Sequence, residues 1–464
     1  MAGVVAPLVA LVSRQASQAG SSVDATLVLT GRWSLGRRLA CGALALAVLA
    51  AVPLVHAAAQ AEKTGKAGTA KAALEAKAAN TTKAAPEAKA AQNTVTVAVI
   101  SLEGDARYAP RRLERAYPGH PSGRPIQAAR LAAEDAAMEL EIAGVSLKVR
   151  EVLLPDAQAL PKALAELKAA GVHHLMADLP LAELNQLVRA APAALGGAIV
   201  FNAGLDDDAL RASQCAAHLL HTYPSRQMLA DALAQYLAAR SWRKVLLLQG
   251  PLPGDQLQAD AFNHSARRYG LKLTQTRPFK LSGDPRERDL SNTRLLTGER
   301  EHDVVAVMDS DGEFARLLPY ATQWPRPVVG ASGLMAAAWH SQWERNGGPQ
   351  LSRRFVRLAG RPMQSHDWAA WTAVKAVAAV LVDEPGAPVA RQLQQLRGGV
   401  VYLDGFKGPR LSFRAWDGQL RQPLFLSHID GVVGTAPLDG VLHPTEVMDT
   451  LGVDEKETLC RARP

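Results

Sequence analysis

The sequence predicts an α/β protein of two doubly wound parallel-sheet lobes, preceded by a signal peptide and a disordered linker. Three observations carry that prediction. From residue 93 onward, β-branched runs alternate with amphipathic helical runs, the pattern of parallel strands joined by crossover helices. The alternation forms two series that part near Tyr223-Pro224-Ser225, each with room for about four or five strands, which suits two sheets better than one oversized sheet. The 464 residues are 48% hydrophobic but only 5% aromatic, with 28 prolines, a composition that fills globular cores and argues against a bundle or a fibre.

At the front of the chain, Arg37 and Arg38 precede the apolar run from Leu39 to Val55 and the small residues Ala57 and Ala58. That order predicts a signal peptide over residues 1–58, with a single membrane anchor as the alternative because the run is at the lower limit for spanning a bilayer. The long segment before the run suggests a true start downstream of Met1, and the arginine pair leaves a twin-arginine route open. Residues 59–92 are nearly all Ala, Lys, Glu, Thr and Gly, too small and too polar to build a core, so they read as a solvated tether. Charge follows the same division. Of the formal +8, residues 1–57 hold +3 and residues 58–92 another +3, which leaves +2 for the body. A body so near neutrality has no basic footprint for nucleic acid.

Within the body, Thr94–Ile100 (T-V-T-V-A-V-I) predicts a buried first strand, followed by one helix over Pro125–Ala143 that Gly144 stops. Strands follow at Val145–Leu154, His173–Ala177 and Ala198–Asn202, with helices at Leu160–Ala170 and Ala182–Ala190 between them. Ser225 is placed to cap a helix bearing Met228, Leu229, Ala232, Leu233, Tyr236 and Leu237. The second series has strands at Val245–Leu248, Leu271–Thr276, Val304–Met308 and Val328–Gly330. A long helix is predicted over Trp368–Leu381, and a hairpin-like strand pair over Leu411–Ile429 around Asp417-Gly418.

Catalytic patterns are weak. No G-x-G-x-x-G follows a strand and no phosphate-binding G-x-x-x-x-G-K-[ST] is present. Gly330-Ala331-Ser332-Gly333-Leu334 resembles a nucleophile elbow but has Leu334 where the last glycine is needed. His218 and His221 share helical spacing without a third metal ligand, and Asp309-Ser310-Asp311-Gly312-Glu313 opens like a calcium loop but lacks its remaining ligands. Neither a metal nor a cofactor is expected, and no enzymatic role. In open parallel sheets, ligands bind beyond the carboxyl ends of the strands. That rule nominates Glu103, Asp178, Asn202, Asp255, Asp309 and Ser332 as ligand-binding residues, each with a local helix-capping or loop role as its alternative. Asp206-Asp207-Asp208 reads as a charged helix start, and Trp368 and Trp371 as core.

Several segments carry a family resemblance. The crossover at Pro224, the helix start Asp367-Trp368-Ala369-Ala370-Trp371 and the stretch Phe413-Arg414-Ala415-Trp416-Asp417-Gly418 resemble the type I periplasmic solute-binding proteins, best known as branched-chain amino-acid binders. Trp368-Ala369-Ala370 stands where that family has Y-D-A, and Phe413 to Gly418 where it has F-D-x-x-G. A closer likeness is to the ABC transporter substrate-binding proteins associated with the pyrroloquinoline-quinone (PQQ)-dependent alcohol dehydrogenase system. It rests on Phe201-Asn202-Ala203, Leu210-Arg211, His221-Thr222-Tyr223-Pro224-Ser225, Met228 to Leu237, Pro325-Arg326-Pro327-Val328, Phe406-Lys407-Gly408, Gln419-Leu420-Arg421-Gln422-Pro423 and Asp449-Thr450-Leu451-Gly452. Residues 93–200 diverge more.

The resemblance implies a type I clamshell in the periplasm. Its first lobe would hold residues 93–220 with a return segment near 350–400, and its second residues 221–349 with a return near 401–445, followed by a tail over 446–464. It implies a monomer that traps a small polar solute, passes it to an inner-membrane ABC permease and has a link to PQQ-dependent alcohol oxidation. A ligand sensor or interaction protein without transport is the alternative. Met176-Ala177-Asp178-Leu179-Pro180 replaces the family's G-P-x-x-S turn, and an acidic Asp178 there is expected to repel a carboxylate, which disfavours a free amino acid. Once the signal is removed, Cys215 and Cys460 are the remaining cysteines. Both lie in or beside the resembling stretches and in an oxidising compartment, so a disulfide is expected; the alternative is a buried thiol and a frayed tail.

Overall fold

The computed structural model describes residues 93–461. The signal peptide and the linker fall outside the described residues. The body opens with β1 (Asn93–Leu102), whose β-branched residues bury Val97 to Ser101 between two neighbours. After a 3-10 turn come α1 (Pro110–Arg115), α2 (Ile126–Asp135), α3 (Ala137–Ile142) and β2 (Val145–Leu154). The helix expected over Pro125–Ala143 is thus two, broken at Ala136. Beside the break, the Asp135 carboxylate pairs with Arg354 and accepts the Trp371 indole N–H at 2.9 Å, which holds this turn to neighbouring helices. Next are α4 (Leu160–Ala169), β3 (His174–Asp178), α5 (Leu181–Leu195), β4 (Ile199–Asn202) and β5 (Leu219–His221). Five parallel strands lie in the order β2-β1-β3-β4-β5.

The second series runs α6 (Arg226–Ala239), β6 (Lys244–Gln249), α7 (Pro253–Arg268), β7 (Lys272–Pro278), α8 (Thr293–Leu296), β8 (Val304–Met308), β9 (Val328–Gly330) and β10 (Met335–Ala337). Its parallel sheet has the order β7-β6-β8-β9. Ser225 caps α6 by accepting the Met228 N–H at 3.1 Å, the role its side chain predicts. Helices α9 (Gly348–Ala359), α10 (Ser365–Asp383) and α11 (Val389–Arg397) follow. Then come β11 (Leu403–Asp404), β12 (Arg410–Phe413), β13 (Leu420–Arg421), β14 (Leu424–His428) and β15 (Gly431–Ala436). The predicted strand pair over 411–429 divides. β12 and β13 pair around a turn with Gly418 at φ +70°, whereas β14 leaves to join β10 and β15 in another sheet.

Each parallel sheet has a core on both faces. On the first, α2, α3, α9 and α10 bury one side with Trp368 and Trp371, and α4 and α5 cover the other. On the second, α6 and α7 cover one face, and the other buries Phe279 stacked 4.0 Å from Phe314. Leu403, Leu411, Phe413 and Leu420 pack with the first sheet's core, and Leu424, Leu426 and Ala436 with the second's.

The chain passes between these bodies at Thr222–Pro224, near Ala338-Trp339 and at Gln422-Pro423, and the passages are tied together. The Gln422 amide donates to the Thr222 carbonyl at 2.9 Å, and the Lys407 ammonium donates to Gln422 Oε1 at 2.9 Å and to the Pro423 carbonyl at 3.1 Å. Lys407 lies buried 3.4 Å over the Trp368 ring, which stacks on Trp339. Burial holds its pKa well below the usual lysine value. Asp206-Asp207-Asp208 is not a helix start of its own kind only. Asp206 and Asp207 pair with Arg226, and Asp208 accepts the Gln227 N–H at 3.1 Å, so the triplet anchors the first turn of α6 at this crossing. The tail is fastened by Cys215–Cys460, with Cα atoms 5.6 Å apart.

Candidate functional site

Parallel register brings the carboxyl ends of the strands into two rows. In the first sheet Ser101 lies opposite Asp178, Ala177 opposite Asn202, and Asn202 opposite His221. In the second, Gln249 lies opposite Met308, and Val307 opposite Gly330. The two rows meet, because the loop after β1 reaches the loop after β8: the Arg112 guanidinium donates to the Asp311 carbonyl at 3.1 Å and Arg115 pairs with Glu313 at 2.7 Å. The cleft between the two sheets is therefore the candidate site.

Asp178 is its most elaborated member. Its buried carboxylate accepts the Tyr108 hydroxyl at 2.7 Å and Arg107 at 3.1 Å, with Arg124 at 3.5 Å. Arg107 in turn grips Asp105 at 2.6 Å. The Arg107 and Arg124 guanidiniums flank the Tyr108 ring at 5.4 and 4.6 Å. Burial opposes the Arg107 charge, but the hydrogen bond it donates to Asp105 and the field of Asp178 outweigh it and raise the guanidinium pKa. Burial, followed by the neighbouring Asp178 charge, pushes the Tyr108 hydroxyl well up. Gly204 completes this wall: a Cβ there would stand 3.0 Å from Arg107 Nη1. Arg107 and Arg124 together balance Asp105 and Asp178, so Asp178 does not stand as a bare negative charge.

The other nominated residues divide by where their bonds go. Glu103 is exposed at the cleft end of β1, and its main chain bonds to Leu154 and Arg124. Asn202 is buried and committed to its own loop: its amide donates to the Leu205 carbonyl at 2.7 Å and meets His221 Nδ1 at 3.1 Å, while its oxygen accepts the Leu205 N–H at 2.9 Å. Asp255 is the third residue of α7. It accepts the Leu252 N–H at 2.8 Å and the Ser310 N–H at 2.6 Å, so it positions the loop after β8. Asp309 accepts the Ala315 N–H at 2.7 Å. Burial above all, with the Asp311 carboxyl and the Asp255 charge adding to it, pushes the Asp309 carboxyl up to about 7 against that N–H bond. Ser332 is buried in the tight turn between β9 and β10, closed by the Gly330 N–H to the Leu334 carbonyl at 3.0 Å.

His218 Nε2 donates to the Val188 carbonyl at 2.9 Å, and His221 faces Asn202, so the two rings have separate partners. Sequence reasoning missed Arg107, Tyr108 and Arg124. Their one visible sign was a loop after the first strand holding five arginines between residues 103 and 124.

The sequence matches no family model and no curated protein. Solved structures do match. An ABC transporter substrate-binding protein from Desulfitobacterium hafniense, in complex with Leu, is similar at a TM-score of 0.57 and 17% identity, over 74% of this chain and 100% of that one. A leucine-, isoleucine-, valine-, threonine- and alanine-binding protein from Brucella ovis, in its closed conformation, gives 0.57 and 12%, over 72% and 90%. An ABC transporter solute-binding protein from R. palustris in complex with benzoate gives 0.55 and 12%, over 80% and 100%. At such identities the likeness is one of architecture, and it agrees with two parallel sheets whose carboxyl ends face a shared cleft. The chain has the type I periplasmic-binding-protein fold.

Proposed function

We propose that this protein is the periplasmic substrate-binding component of an ABC transporter, which holds a small polar solute between its two sheets and presents it to an inner-membrane permease without chemical change. The observation that carries the reading is the meeting of the two rows of strand ends, one lined by Arg107, Tyr108, Arg124 and Asp178 and the other by the loop Asp309–Glu313. Ligand closure in such a cleft is a population shift toward the form in which both rows touch the solute. We assign ligand contact to Glu103, Asp178, Asp309 and Ser332, with Arg107, Tyr108 and Arg124 added to them. With Asp105 and Asp178 balanced by Arg107 and Arg124, an acidic solute is admissible. The resemblance of residues 201–460 to binding proteins of PQQ-dependent alcohol oxidation favours an alcohol, its acid product or the quinone.

A thermal-shift screen of the mature protein with short-chain alcohols, the corresponding carboxylic acids and PQQ tests this, since a ligand that binds the native state raises apparent stability. A rise with one of these compounds that is lost in Asp178→Ala or Arg107→Ala is the expected result. No rise with any compound on the panel counts against the reading, and a rise that both variants retain moves the site elsewhere.

A further inference from the structure

We infer that the cleft carries its own latch: Glu313 on the second-sheet side is captured by Arg111, Arg115 and Tyr117 on the first-sheet side, and this contact holds the bodies together without any ligand. The inference goes beyond the transport reading and does not depend on what the solute is.

The geometry is that of a carboxylate nest. Glu313 receives the Tyr117 hydroxyl, the Arg115 guanidinium at 2.7 Å and the Arg111 guanidinium at 3.4 Å. Arg115 also donates to the Tyr117 oxygen at 3.0 Å, so the donors are bound to one another as well as to the acid. Beside them, Arg112 donates to the Asp311 carbonyl at 3.1 Å and touches His120 Nδ1 at 2.9 Å. Tyr117 is only 2% exposed yet belongs to none of the four hydrophobic cores. His120 meets its ring edge-on at 6.0 Å, Arg112 lies over it at 5.4 Å, and Gly312 of the other body packs against its Cβ.

Two features of the acidic loop fit it for the part. Gly312 has φ +76°, and a Cβ there would lie 3.3 Å from His120 Nε2 and 3.4 Å from Tyr117 Cβ, so glycine permits both the left-handed turn and the close approach. The Asp311 carboxylate accepts the Glu313 N–H at 2.9 Å, which fixes the loop that carries Glu313. The complementarity is legible in the two segments themselves, P-R-R-L-E-R over 110–115 and D-S-D-G-E over 309–313. Because Glu313 and Arg115 are partly exposed, with side-chain accessibilities of 28% and 39%, salt weakens the latch.

Small-angle scattering of the ligand-free mature protein tests the latch. At low salt the wild type should show a smaller radius of gyration than Glu313→Gln, and about 1 M salt, where the screening length is about 3 Å, should bring the wild type to the value of the variant while leaving the variant unchanged. Tyr117→Phe, which removes only the hydroxyl, should fall between the two. Cooperative unfolding of each variant by far-UV circular dichroism serves as the check that it is folded. Equal radii for wild type and Glu313→Gln at low salt, whether both compact or both expanded, overturn the latch. So does a wild-type radius that does not respond to salt.

Discussion

At the scale of single residues, Asp309 couples the site to pH. An aspartate in an unfolded chain ionises near pH 4, whereas buried Asp309 keeps its proton to about 7. Between those values the folded state binds more protons than the unfolded one, so the contribution of Asp309 to stability falls as pH rises from about 4 and levels off above about 7. Two histidines act in the opposite direction. Burial holds both His120 and His174 at about 4, so the unfolded chain binds more protons up to about 6.5 and their contribution rises with pH. The wild-type slope mixes these effects, but the difference from Asp309→Asn isolates one of them. We expect the stability of wild type relative to Asp309→Asn, measured by urea unfolding, to decline from pH 4.5 to pH 7.5; a difference that stays constant over that range means Asp309 does not hold its proton. Asp178 illustrates how little of this chemistry is local. Its position at a strand end was readable from alternation alone, but its ion-pair partner Arg107 lies 71 residues away, and nothing in the neighbouring sequence signals that partner.

At the scale of elements, the parallel strands were legible because each is a short apolar run of β-branched residues between turn signals, as in Val304–Met308. β5 was not, since Leu219–His221 is three residues long and is defined by pairing with β4. The division of β13 from β14 was hidden for a related reason: Gln422-Pro423 looks like the interior of a strand pair, and only the joining of β14 to β10 sends it to another sheet.

The tail shows what holds such late elements. Asp449 accepts Arg414 at 2.7 Å and Arg421 at 2.9 Å, and Arg414 is fully buried. Removing the acid takes from that guanidinium its partner at hydrogen-bond distance and leaves it Asp417 at 3.8 Å and two carbonyls, so Asp449→Ala should cost about 3 kcal/mol, read as a lower urea midpoint. The disulfide adds a covalent tie across 245 residues. In the chain-entropy model a loop so long contributes about 5.5 kcal/mol, and reduction should lower the melting temperature of wild type but not of Cys215→Ser. A wild-type melting temperature unmoved by reductant would show that the pair contributes nothing to stability.

At the scale of the whole molecule, the tied passages and the latch work against each other. Lys407, Gln422 and Thr222 tie two of the passages into a polar joint and the Trp368 ring under Lys407 stacks on Trp339 of the third, while Glu313 and its donors close the far side of the cleft. A solute can enter only when the far side is open, so its association rate is scaled by the open fraction of the free protein. Once the solute is inside, the same Glu313 contact stabilises the closed complex and slows its release. Loss of the latch therefore has a signature that an ordinary contact residue lacks. For whichever panel compound raises the melting temperature, Glu313→Gln should speed association and speed dissociation more, so that affinity falls although the first step is faster. Stopped-flow fluorescence from the tryptophans at the passages, Trp339 and Trp368, gives both rates. A variant that binds more weakly through dissociation alone, with its association rate unchanged, would place Glu313 among the solute's own contacts and leave the free cleft open.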